Sequence, residues 1–145
     1  MRERVAVARV GRLATVSAAG APHLVPFCFA LRSVDDHDVL VTAVDSKPKR
    51  TTALKRIDNI SATGRACVLV DEWNEDWTQL WWVRLDCSAT VVDDPAVRND
   101  ALGALTAKYP QYADAPPAGP VLALAVTKWT GWASHVSAEG NVYRM

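Results

Sequence analysis

The densest run of cations in the sequence is Lys47-Pro48-Lys49-Arg50-Thr51-Thr52-Ala53-Leu54-Lys55-Arg56, in which five of ten residues are basic and none is acidic. The whole chain balances 16 Lys and Arg against 16 Asp and Glu, so the positive charge is a local patch in a neutral protein. Leu54, Ile57 and Ile60 recur every three residues from Thr51 onward, which predicts a short amphipathic helix. Lys47, Lys49 and Arg50 then fall just before or at its N-terminus. That end already presents unpaired N–H groups and partial positive charge, so the cations are unfavourable there without an anion. A phosphate would accept hydrogen bonds from the backbone and from the Thr51 or Thr52 hydroxyl while pairing with Lys49 or Arg50. Lys55 and Arg56 lie toward the helix's C-terminal half, where solvated cations need no ligand to explain them.

The second concentration is Asp71-Glu72-Trp73-Asn74-Glu75-Asp76-Trp77-Thr78-Gln79-Leu80-Trp81-Trp82, which holds four of the six tryptophans beside four carboxylates. Trp81 falls in register with the apolar face of the strand that follows and reads as core. Trp82 shares the opposite face with Arg84, an indole beside a guanidinium, and suggests a partner surface. Trp73 and Trp77 fit equally a hairpin cover or the wall of a flat aromatic pocket. The carboxylates read as solvating the turn. His23, His37 and His135 are far apart and in no metal-ligand spacing, so no metal site is expected, and His37 reads as a turn residue. Cys28, Cys67 and Cys87 are odd in number and widely spaced, which predicts buried free thiols in a reducing compartment. With no recognisable nucleophile arrangement and no catalytic side chain to name, any chemistry is expected to reside in a bound cofactor.

The elements that must position these residues can be read in order. Arg2 to Val10 predicts a short helix with Val5 buried. Arg12 to Ser17 and His23 to Leu31 predict two strands joined around Ala18-Ala19-Gly20-Ala21. Pro22 and Pro26 put the second strand on an edge or at a bulge. Asp35-Asp36-His37-Asp38 reads as a polar turn before a third strand, Val39 to Val44. Ala66 to Val70 is a compact apolar strand. The clearest alternation runs through Trp81, Val83, Leu85, Cys87, Ala89 and Val91, with Arg84, Asp86, Ser88 and Thr90 between them. Asp93-Asp94-Pro95 is a helix start for Ala96 to Tyr109. Residues 110 to 120 hold four of the eight prolines and read as a loop. A last strand is predicted from Val121 to about Val136.

Six or seven short strands with two or three helices between them predict a mainly β fold, a closed or nearly closed antiparallel barrel in one domain over residues 1–145. Both G-x-G-x-x-G and the P-loop pattern are missing, and the neutral charge is a poor footprint for nucleic acid. The longest apolar runs fall far short of the ~18 residues that a membrane span needs, and the arginine-rich start does not read as a secretion signal. A cytoplasmic location is expected.

Gly11-Arg12-Leu13-Ala14-Thr15-Val16, Gly20-Ala21-Pro22-His23-Leu24-Val25-Pro26 and Lys47-Pro48-Lys49-Arg50-Thr51, in that order, resemble the pyridoxamine 5'-phosphate oxidase-like split β-barrel superfamily, whose fold is FMN-binding-like. Leu69-Val70-Asp71, Glu75-Asp76-Trp77 and Leu80-Trp81-Trp82-Val83-Arg84 are similar to its actinobacterial F420-dependent flavin and deazaflavin oxidoreductases, class B. The resemblance covers most of the chain. It implies a homodimer with cofactor sites at the subunit interface and coenzyme F420 as hydride carrier for a small unsaturated or heteroaromatic acceptor. By the same resemblance Lys47, Lys49, Arg50 and Thr51 would hold the cofactor's phosphate and acidic tail, with Lys55 beside them. Thr42 and Ala43 would pass along the ring or ribityl chain. Trp77, Trp82 and Arg84 would shape the pocket from the neighbouring subunit. Members of the superfamily also bind FMN or haem, so an FMN-dependent oxidase or reductase and a carrier without turnover are the alternatives.

Overall fold

A computed structural model describes residues 1–44 and 52–134 of the 145. Helix α1 (Arg2–Val7) leads into strands β1 (Gly11–Val16), β2 (Pro22–Phe27), β3 (Ala30–Val34) and β4 (His37–Ala43). Helix α2 (Thr52–Thr63) follows, then β5 (Arg65–Glu72) and the long β6 (Trp81–Val91). The chain continues through α3 (Pro95–Lys108), the single-turn α4 (Gln111–Asp114) and β7 (Val121–Ala133). The strands form one antiparallel sheet in the order β2-β1-β5-β6-β7-β4-β3.

That order forces the sheet to roll. β2 and β3 stand at its two opposite edges, yet only Cys28 and Phe29 separate them in sequence. Flat, seven strands would hold those edges about 29 Å apart, at ~4.8 Å per neighbour. A link of this length spans roughly 10 Å. The edges must therefore approach each other, which makes the sheet a split β-barrel.

Alternation in β6 fills its interior. Trp81, Val83, Leu85, Cys87 and Ala89 are buried, and the residues between them face outward. They meet Leu13, Val25, Phe27, Phe29, Leu40, Val68, Val70 and Leu124 in the main core. A second apolar layer lies outside the barrel, where Ala101, Leu105 and Tyr109 of α3 and its C-cap pack on Ala30, Val41 and Val121. β4 is thus covered on both faces, which explains why Val39 to Val44 is apolar at every position except Thr42.

Several elements differ from the sequence reading. The expected strand from His23 to Leu31 is two strands broken at Cys28-Phe29, because this is where the chain leaves one sheet edge for the other. The Asp35-Asp36 turn is shorter than four residues: both aspartates take positive φ (48° and 63°), the tight geometry that matches strand twist, and His37 already belongs to β4. α1 stops at Val7, and the proline-rich loop contains α4. The α3 start is as read, with Asp94 accepting from the Ala96 and Val97 N–H groups and Pro95 in the first turn.

Candidate functional site

The exit of β4 is fixed from three sides. Thr42 Oγ1 donates to the Cys28 carbonyl at 2.7 Å, tying β4 to the β2–β3 link. Val44 N–H donates to the Pro120 carbonyl at 2.8 Å, and Gly119 packs so closely on the Val44 carbonyl that a Cβ there would overlap it. Arg98 holds the same loop, donating to the carbonyls of Gly119 (2.8 Å) and Pro117 (3.2 Å). The link itself is latched by the end of α3. Phe29 N–H donates to Tyr109 Oη at 3.2 Å, and Oη lies 3.0 Å from the Phe29 carbonyl and 2.9 Å from that of Arg9, to either of which it can donate. Lys108 Nζ donates to the Phe29 carbonyl at 2.9 Å and sits 4.1 Å from the Phe29 ring centroid. Burial, with Arg9 nearby, pushes the Lys108 ammonium down to about 8.

Between these braced segments lies a cavity of about 270 Å³ whose lining includes Pro26, Cys28, Thr42, Ala43, Arg56 and Tyr112. Among the described residues, Arg56 brings the cavity its only formal charge at neutral pH, and no carboxylate lines it. The guanidinium is half-buried, and its Nε is fully buried without a hydrogen-bond partner. Burial lowers its pKa from the ordinary value. An unpaired buried donor costs ~1–3 kcal/mol, more when charged, so this geometry suits an anionic ligand.

The structure brings Thr42 and Ala43 together here and adds Arg56, which the sequence reading had left as a solvated cation. The signal available was its place on the barrel-facing stripe with Ile60 and Thr63, at i+4 and i+7. Lys55 is exposed and lines neither this cavity nor the next. Lys47, Lys49, Arg50 and Thr51, in the segment that joins β4 to α2, and His135, after β7, lie outside the described residues.

A second cavity, of about 470 Å³, opens on the outward sheet face and includes Leu69, Trp73, Leu80, Trp82, Arg84 and Trp132. Trp82 stands opposite Trp132 in the ladder. Arg84 is 3.5 Å from Asp86, and Arg12 pairs with Asp71 at 2.9 Å. Trp81 points inward and donates to Glu72 at 2.9 Å. Trp77 is 67% exposed, in a short 3-10 turn (Trp77–Gln79) outside both cavities. The Thr78 hydroxyl and N–H both donate to Asp76, holding its carboxyl below the usual range.

The two cavities share no lining residue. Ala43 pairs with Val121, and Leu122 pairs with Val91 at the end of β6, whereas Trp82 is nine residues back, about 30 Å along the strand. Within one chain Trp82 and Arg84 do not meet Thr42 and Ala43.

The thiols differ from expectation. Cys87 alone is buried, its pKa raised to about 12 by desolvation; Cys67 is partly buried beside Asp86, and Cys28 is exposed at the lip of the first cavity. Strand alternation accounts for the first two: inward and outward faces alternate along β5 and β6, and only Cys87 reaches the core. Among the described residues no cluster of His, Cys, Asp and Glu could hold a metal, and no helix is long and apolar enough to cross a membrane.

A rolled antiparallel sheet with consecutive strands at its two edges, and a cation-bearing cavity where they meet, defines a split β-barrel protein. The chain belongs to the pyridoxamine 5'-phosphate oxidase family, which it matches over residues 1–133. Among solved structures it is similar to a FAD-binding protein from Mesorhizobium loti (20% identity, 90% of this chain and 89% of that one, TM-score 0.64). It is also similar to a conserved hypothetical protein from Mycobacterium tuberculosis (19%, 96% and 89%, TM-score 0.68). A third is the haem storage protein HutZ from Vibrio cholerae (12%, 91% and 90%, TM-score 0.66). No curated protein matches the sequence.

Proposed function

We propose that the chain is a coenzyme F420-dependent oxidoreductase, a cytoplasmic homodimer that passes a hydride between the deazaflavin and a small unsaturated or heteroaromatic acceptor. The observation that carries the reading is the cavity at the β4 exit, whose described lining holds the half-buried Arg56 with an unpartnered buried Nε and no carboxylate. Along the chain, Ala43 and Arg56 of its lining stand on either side of the segment that holds Lys47, Lys49, Arg50 and Thr51. These residues fit an anionic, flat cofactor: Arg56 supplies an unused donor, while Thr42, Ala43 and Cys28 supply a wall that its hydrogen bonds already fix. The bound cofactor supplies the hydride chemistry. The protein's share is to hold the phosphate and acidic tail through Lys47, Lys49, Arg50, Thr51 and Lys55, to orient the ring beside Thr42 and Ala43, and to exclude water.

Trp77, Trp82 and Arg84 enter this reading from a second copy of the chain. The outward face that carries Trp82 also exposes Leu24 and Leu69, which favours its being covered. FMN is the second reading for the cofactor, supported by the family match and by flavin-binding relatives of the same fold. The haem storage neighbour keeps a carrier without turnover as the third.

The test is titration of the purified protein with F420 and, separately, FMN, following tryptophan quenching. Tight F420 binding with weak FMN binding is the expected result, followed by reduction of an acceptor from a nitroaromatic and enone panel. Preference for FMN transfers the assignment to the flavin, and tight binding without turnover to the carrier.

A further inference from the structure

We infer that the cavity between α1 and the end of β5 is a binding site for a small zwitterion, an α-amino acid with an apolar side chain. The cavity holds about 380 Å³, with Arg4, Val7 and Val10 from α1 and its exit on one side and Glu72 and Trp81 on the other. It is distinct from the cavity at the β4 exit, since among the described residues only Val10 lines both. Glu72 and Trp81 also edge the outward cavity, but Arg4 and Val7 belong to this one. The inference does not rest on the cofactor reading.

One indole organises the charges. Trp81 is anchored in the main core and stands opposite Glu72 in the β5–β6 ladder. Its Nε1 donates to Glu72 Oε2 at 2.9 Å, which fixes a carboxylate at the edge of the ring. The Arg4 guanidinium lies over the ring face, 5.2 Å from its centroid. Val5, buried in the same core, anchors the helix that brings Arg4 there. An anion and a cation are thus held on one rigid platform, yet they do not close on each other. The ion pairs among the described residues are Arg2–Asp38, Arg12–Asp71 and Arg84–Asp86, so Arg4 and Glu72 stand more than 4 Å apart. The neighbouring charges are engaged elsewhere: Asp71 accepts from Arg12 at 2.9 Å, and Arg9 lies 4.7 Å from the Tyr109 ring centroid.

Opposite charges that border one cavity without joining are complementary to a ligand that carries both. The indole occupies one acceptor position of Glu72, and a carboxylate has several; the Arg4 guanidinium offers a planar fork that matches a carboxylate. An α-amino acid bears its ammonium and carboxylate on one carbon, so one molecule answers both groups. Val7 and Val10 are exposed apolar residues of the same lining and would cover its side chain. Arg4 and Glu72 are themselves exposed, so either contact alone is weak and the pair is needed for binding.

Three probes of one shape test this: L-leucine, 3-methylbutylamine, which lacks the carboxylate, and 4-methylpentanoate, which lacks the ammonium. Each is titrated against the full chain at pH 7.5, with binding read from the probe's own NMR line widths. Leucine is expected to bind saturably at millimolar concentration, about tenfold tighter than either single-charge probe. Arg4→Gln should reduce leucine to the affinity of the amine. Glu72→Gln keeps an oxygen for the Trp81 N–H and should reduce leucine to the affinity of the acid. Both variants should melt as the wild type does, and the comparison of the three probes on the wild type stands even if one does not fold. Absence of saturable leucine binding, equal affinity for the three probes, or a leucine preference that survives in both variants overturns the inference.

Discussion

The β4 exit and the tryptophan face are both candidate binding surfaces, but they are built differently. The first is braced by hydrogen bonds between residues far apart in sequence: Thr42 to Cys28, Tyr109 to Phe29 and Arg9, Arg98 to the loop before β7. The second is a row of large side chains on an outward sheet face, with Arg84 and Asp71 held by ordinary exposed ion pairs. Preorganisation suits the first to gripping a rigid ligand. The second has apolar area and little bracing, as expected of a surface completed by another molecule. Changes to the bracing of the first should alter stability and ligand binding together; changes at the second should alter assembly or binding alone.

The largest expected effect tests the cationic side of the first region. On the proposed cofactor reading, Lys49→Ala with Arg50→Ala would remove two charge-assisted contacts and should weaken cofactor binding by about 3–4 kcal/mol, some hundreds-fold, with little change in melting temperature. Fluorescence titration reads it directly, and unchanged affinity would move the anion site away from the start of α2.

Tyr109→Phe comes next. One hydroxyl serves the Phe29 N–H and the Phe29 and Arg9 carbonyls, and its loss leaves the buried Phe29 N–H unpaired. A destabilisation of about 2–3 kcal/mol is expected by urea unfolding. The Cys28-Phe29 wall should loosen with it, so cofactor affinity should fall as well. A stability loss without any loss of affinity would show that the latch supports the barrel but not the cavity.

Lys108 sharpens the same point through pH. Its folded pKa, about 8, lies below the unfolded value of 10.5, so between those pH values the unfolded chain binds more protons. Stability contributed by this group is therefore full above 10.5 and is lost as pH falls through 8. The thiols of Cys67 and Cys87, and Tyr109, are raised and act in the opposite direction above about pH 9. The useful quantity is the difference between wild type and Lys108→Met, which isolates the lysine. Allowing for its partial exposure, the wild type should gain on the order of 1–2 kcal/mol relative to the variant from pH 7 to 9.5. A flat difference would place Lys108 in solvent.

The contrast between the regions also explains what could be read from the sequence. β6 was legible residue by residue because one face is buried along its whole length, and the Asp94-Pro95 helix start because capping is local. Thr42 and Ala43 could be placed at a strand end, but the contacts that make that end a cavity come from Cys28, Arg56 and Tyr112, between 14 and 70 positions away from Thr42 along the chain. No local pattern encodes them. The break at Cys28-Phe29 was hidden for the same reason: the residues are apolar and β-forming throughout, and only closure of the sheet dictates the interruption. Arg56 was misjudged because a helical cation is most often solvated, and its burial depends on where α2 crosses the barrel.

Trp77 gives the smallest effect on stability and the cleanest separation of the two regions. Its side chain is 67% exposed, and its turn is held by Asp76 through Thr78 rather than by the indole. Trp77→Ala should therefore change unfolding free energy by no more than about 0.5 kcal/mol. If a second copy brings this segment over the β4 exit, the same variant should still weaken cofactor binding several-fold, and Leu69→Glu on the outward face should reproduce that loss by producing monomers in light scattering. The two variants touch different faces and share nothing within one chain except the proposed assembly. Matching losses of affinity with intact folding are thus a signature of a site shared between copies. A Trp77→Ala protein that binds as the wild type does, and a Leu69→Glu monomer that also does, would confine the site to the residues around Thr42, Ala43 and Arg56.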